Sequence, residues 1–161
     1  MKLTGLFRSK ESAKAKAINF ILIIQFINAA AAGRVTIGSM LLENGAKVNI
    51  HGPTGLTPLM FAALGNPEMV DLLLRNGADV NARDDNGNTA LICASGFFKT
   101  SWETSDGARQ TLESASGDKE IVKRLIEAGA ELKNHYDYTA LDYAAEEKHR
   151  EIEQLIKSHK K

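Results

Sequence analysis

The chain has 161 residues, and one of them is cysteine, Cys93. No disulfide can form inside a single chain with one thiol, which suits a reducing compartment. Neither sign of charge is in excess. Lysines and arginines number 20, aspartates and glutamates also 20. A general nucleic-acid binder needs a basic surplus to release counterions, so that class is set aside. No apolar run reaches 18 residues, so no membrane-spanning helix is expected. No asparagine glycosylation triplet is present. The four histidines, His51, His135, His149 and His159, do not stand at metal-ligand spacing, and there is no cysteine cluster. The phosphate-binding loop of nucleotide hydrolases and the nucleophile elbow of serine hydrolases are both missing. Neither a catalytic site, a metal nor a cofactor is expected, and the chain is read as a non-enzyme.

What is present is repetition. "LLLRNGADVN" at 72–81 echoes "MLLENGAKVN" at 40–49, and "LIEAGAELK" at 125–133 is a third version. A second word also recurs: Thr57-Pro58-Leu59, Thr89-Ala90-Leu91 and Thr139-Ala140-Leu141. Small residues follow it, as Ala62-Ala63, Ala94-Ser95 and Ala144-Ala145. A self-similar period near 33 residues means stacked units, each unable to bury its own apolar face. Threonine is a good helix N-cap, and Pro58 at the first helical position has no N–H to lose. Met69, Val70, Leu72, Leu73 and Leu74 make a second helix that is mostly apolar. Gly77 then stops it. "ARDDNGN" (82–88) is turn chemistry. The acids of "DVNARDDNG" (79–87) fit a calcium loop poorly, lacking glycine at the sixth place and glutamate at the twelfth. Each unit therefore reads as helix, turn, helix, hairpin.

These words resemble those of ankyrin repeats, over roughly residues 24–158 apart from one insertion. The resemblance implies an all-α solenoid of helix-turn-helix units with projecting hairpin loops. It divides one domain, 1–161, into an N-terminal capping helix or extension (1–23) and four repeats. They are repeat 1 (24–50), repeat 2 (51–83), repeat 3 (84–134) and repeat 4 with a C-terminal cap (135–161). One departure is the fourth place of the opening word, often histidine in the family and here Met60, Ile92 or Asp142. A larger one is an insertion at 97–116 inside repeat 3, which holds Phe97, Phe98 and Trp102, the last being the sole tryptophan. Two readings of it stand open: aromatics packing back to cover an extended helix, or a partner-binding loop.

The N-terminus also reads two ways. Lys2, Arg8, Lys10, Lys14 and Lys16 precede an apolar stretch and an Ala-rich run, as in a secretory signal. Ile18, Ile21, Leu22, Phe26 and Ala29 instead follow helical spacing, and a retained capping helix is the reading favoured. The expected location is cytoplasmic, or secreted or periplasmic if residues 1–31 act as a signal peptide.

Cys93 falls at an inward position, which predicts a buried, inert thiol. The resemblance implies protein–protein recognition by a monomer with no cofactor, no nucleic acid and no membrane span. Candidate contact residues are His51, Thr54, Leu56, Arg83, Asp85, Asn86, Asn88, Tyr136 and Tyr138 at the tips. Met60 and Asp142 join them from the first helices, and Phe97, Phe98 and Trp102 from the insertion. The function so implied is a small adaptor or inhibitor. The alternatives are a structural scaffold without a tight partner, or a bacterial immunity-type protein that neutralises a toxin.

Overall fold

A computed structural model describes residues 20–96, 98–103, 109–114, 117–132 and 139–159. The basic lead at 1–17, and Phe97, His135, Tyr136 and Tyr138, lie outside them. The helices are α1 (20–31), α2 (Val35–Glu43), α3 (Pro58–Ala62), α4 (Pro67–Arg75), α5 (Ala90–Ser95), α6 (Lys119–Glu127), α7 (Ala140–Glu146) and α8 (Arg150–Ser158). Strands β1 (Phe98–Glu103) and β2 (Arg109–Ser114) lie between α5 and α6.

Helices pack in pairs within a unit, α3 on α4, α5 on α6 and α7 on α8. Between units they form two rows. Helix α3 meets α5 and α5 meets α7; α2 meets α4, α4 meets α6 and α6 meets α8. That is a helical repeat solenoid. Its core follows the sequence period. Met69, Val70 and Leu73 of α4 are buried, as are Ile121, Val122 and Leu125 of α6 and Ile152 and Ile156 of α8. Ala62, Ala63, Ala94 and Ala144 are buried between the short helices, where a larger side chain would hold neighbours apart. Helix α1 enters the core through Phe26, Ile27, Ala29 and Ala30.

Helix ends are set by the repeated words. Thr57, Thr89 and Thr139 cap α3, α5 and α7, each accepting the N–H three residues on. The fourth place of the opening word answers unequally. Asp142 Oδ2 accepts the Thr139 N–H at 2.7 Å, a full reciprocal box. Met60 Sδ receives the Thr57 N–H at 3.4 Å, a weaker acceptor. Ile92 has none to offer. At the other end, Gly77 has φ of 81° and Ala78 N–H reaches back to Leu73 C=O at 3.0 Å. Gly45 and Gly129 do the same for α2 and α6. Only glycine enters that left-handed turn without strain.

The insertion does not extend a helix. Helix α5 ends at Ser95, Gly96 is extended, and β1 and β2 pair antiparallel with Phe98 opposite Ser114 and Glu103 opposite Arg109.

Candidate functional site

The tips that join successive repeats form along two homologous loops. Gly52 N–H donates to Leu56 C=O at 2.8 Å, and 32 positions on Asp84 N–H donates to Asn88 C=O at 3.0 Å. The second loop is organised by a buried carboxylate. Asp84 Oδ1 accepts the N–H groups of Asn86 at 2.9 Å and Asn88 at 2.7 Å, and Oδ2 accepts from the Asn88 amide at 3.2 Å. An aspartate that bonds its own backbone two residues on folds a turn locally. That acid is thus occupied with shaping the loop.

Adjacent tips touch. Asp85 N–H donates to Thr54 C=O at 3.0 Å. Gly55, at φ of 74°, lies so close beneath Asp85 that a Cβ there would sit 2.5 Å from its Oδ1. Glycine is needed both for the turn and for the approach. The inserted ribbon also reaches this place, since β1 runs alongside the 3₁₀ turn Pro53–Gly55. Phe98, Thr100 and Trp102 occupy alternate positions of β1. The intervening register sets Lys99 across from Glu113, and Glu103 across from Arg109.

The candidate residues divide accordingly. His51, Asp85 and Asn86 are exposed at the tips, and Thr54 is half-buried between them. Leu56 and Met60 are corrected: each is 1% exposed, because both sides of the first helices and their approach are covered by neighbouring repeats. Asn88 is likewise buried, holding Asp84. Arg83 pairs with Glu131 at 2.9 Å and lies against Gly87 C=O, tying the second tip to the next unit. Asp142 is spent on the α7 cap.

Electrostatics beneath the tips are those of a core. Burial, and after it the charge of Asp84, pushes the Cys93 thiol well above its ordinary range. Such a thiol carries little thiolate at neutral pH and is a poor nucleophile. Tyr143 is also raised, first by burial, then by Cys93, Glu146 and Asp84. A cleft of about 290 Å³ opens elsewhere, at the turns inside the last two units, lined by Lys119, Lys148, His149 and Arg150 among others. No group of His, Cys, Asp and Glu suited to a metal ion occurs among the described residues. Nor is any described helix long and apolar enough to cross a membrane.

Sequence reasoning missed Asp84, Asn49 and Asn81. Asn49 Nδ2 donates to Gly77 C=O at 3.1 Å while its Oδ1 accepts Asp79 N–H at 2.8 Å. Asn81 repeats this on Gly129 at 3.2 Å and Glu131 at 2.7 Å. The signal for the two asparagines was their recurrence in the repeated word.

A family model of ankyrin repeats, in three copies, matches residues 26–100. Over residues 26–100 the repeats are ankyrin repeats. The match stops inside β1, but the helix rows continue through α8 with the same buried positions. Ankyrin repeats generally mediate protein–protein interaction and are typically non-enzymatic. No curated protein matches the chain.

Proposed function

We propose that this ankyrin-repeat protein is a small adaptor or inhibitor. It binds one partner protein through a surface composed of the tips and the inserted ribbon. The observation that supports this is the seating of β1 beside the Pro53–Gly55 turn, which makes tip and insertion neighbours in space. Large recognition surfaces gain most from a few aromatic anchors surrounded by polar groups. Trp102, Phe97 and Phe98 are the anchors in this reading. His51, Thr54, Asp85 and Asn86 are the surround, and Tyr136 and Tyr138 extend it. The repeats divide the chain at 24–50, 51–83, 84–134 and 135–161, the last serving as a wet C-terminal cap. A reducing, cytoplasmic setting suits the lone buried thiol.

The test is affinity capture from the native source with mass spectrometry, comparing the wild-type chain with one whose residues 97–116 are replaced by a short Gly-Ser turn. The expected result is a specific protein captured by the wild type and lost with the folded variant. Equal capture by both would move recognition to the tips alone. Capture by neither would favour a scaffold without a tight partner.

A further inference from the structure

The two ends of the solenoid are unlike. Phe20, Ile21 and Ile24 of α1 and Ile37 and Met40 of α2 are exposed, Met40 to 57%. They share one side of the first unit. Within α2, Met40 stands two residues from Gly38, which is buried against α4, and so points the opposite way. Ile37 lies one turn before it. Within α1, Ile24 is two residues from buried Phe26 and is opposed to it in the same manner. Both helices therefore turn apolar residues away from the rest of the stack.

The second unit shows what such positions do. Thirty-two residues on, Ile37 corresponds to Met69 and Met40 to Leu72. Met69 and Leu72 reach back to the preceding unit: a Cβ added at Gly38 would meet Met69 Cε at 3.1 Å and Leu72 Cδ2 at 3.2 Å. Ile37 and Met40 are thus the residues that would grip a preceding apolar neighbour. Terminal repeats ordinarily carry a polar outer face. The C-terminal one does, with Glu147, Arg150, Glu151, Gln154 and Lys157 exposed.

We infer that the N-terminal end of the solenoid is the contact face of a two-fold pair, occupied by the same face of a second copy of this chain. Charge asymmetry selects that arrangement. Head-to-tail stacking would bury charged α8 against isoleucines, whereas head-to-head stacking sets apolar on apolar and closes on itself. The area reaches the lower bound. The five side chains expose on the order of 500 Å² per chain, so pairing removes roughly 1,000 Å² before any rim is counted, about the least a specific interface needs. This face is made by helices α1 and α2, not by the tips, so the pairing and the partner-binding reading stand or fall separately.

Sedimentation equilibrium of the full chain, from about 1 to about 200 µM, decides it. The wild type should reach twice the monomer mass. Ile37→Lys with Met40→Lys should stay monomeric with helical circular dichroism and a cooperative melt, and Gln154→Lys should leave the dimer intact. Should the double variant fail to fold, Met40→Cys serves instead. Cys93 is buried, so mild oxidation should cross-link two chains through the substituted thiol. A wild-type monomer throughout the range overturns the inference. So does dissociation by Gln154→Lys alone, which would mean head-to-tail contact. A dimer appearing only after deletion of residues 1–19 also overturns it, because the chain's own N-terminus would then be the occupant.

Discussion

The stack has three junctions between units, and among the described residues the first two are fastened differently from the third. Asn49 and Asn81 each span to the next unit with a donated and an accepted hydrogen bond. Where the pattern would set a third asparagine the sequence has Lys133, outside the described residues. Among the described residues the third junction is crossed by His149 Nε2, which accepts the Gly117 N–H at 3.2 Å, by the Ala140 N–H, which donates to Leu132 C=O at 3.0 Å, and by an exposed Lys119–Glu151 pair at 3.0 Å. The second has reinforcement of its own, since Arg124 binds Pro67 C=O at 2.7 Å and Asp71 at 3.1 Å. A repeated word in the sequence is therefore a repeated bond across a junction, and where the word changes, another device takes over. Exposed ion pairs contribute roughly 0–1 kcal/mol, so the Lys119–Glu151 pair adds little beside the apolar contacts there.

The largest test breaks two junctions at once. Leu73 is fully buried in α4, which packs on both α2 and α6. Leu73→Ala should cost about 2–5 kcal/mol in urea denaturation, because the cavity cannot collapse from either side. A loss near zero would contradict the stacking register. Next come the asparagines. Asn81→Ala should cost about 1–2 kcal/mol, the net of two hydrogen bonds, and Asn49→Ala a similar amount. Unequal losses would show that equivalent words are not equivalent bonds. The smallest effect is confined to the third junction, where Cys93 of α5 and Tyr143 of α7 both have raised pKa values. Each keeps its proton to higher pH folded than unfolded. Stability should be full below the unfolded cysteine value, about 8.5, and fall as pH rises beyond it. Cys93→Ala should flatten the first part of that fall. Denaturation midpoints at pH 7.5 and 9.5 check it; an unchanged slope would remove Cys93 as the cause.

The helices, their caps and the α4 core were legible because each depends on neighbours in sequence. Thr57 caps a turn three residues long, and Met69, Val70 and Leu73 lie within one helix. Leu56 and Met60 were misjudged because a first helix in a stack is covered on two sides, and periodicity within one unit registers only one. The asparagine bridges span 28–50 residues, so no local pattern contains both partners. The ribbon left a trace that composition hid: alternating "FKTSWE" and "RQTLES" flank Asp106-Gly107, a favoured hairpin dipeptide. Its seat beside the Pro53–Gly55 turn could not be read at all, because nothing in either segment names the other.

In repeat 2 the turn between helices is closed by Asn66 N–H on Ala62 C=O at 2.8 Å. In repeat 3 the same bond survives the insertion, as Asp118 N–H on Ala94 C=O at 3.0 Å. The framework closes behind the ribbon as though nothing had been added, and loop length itself costs little, about 0.6 kcal/mol per doubling. The position between Gly96 and Gly117 thus works as a socket. What it holds does not alter how the frame shuts, so the ribbon's bearing on the stack is confined to its seat beside the Pro53–Gly55 turn.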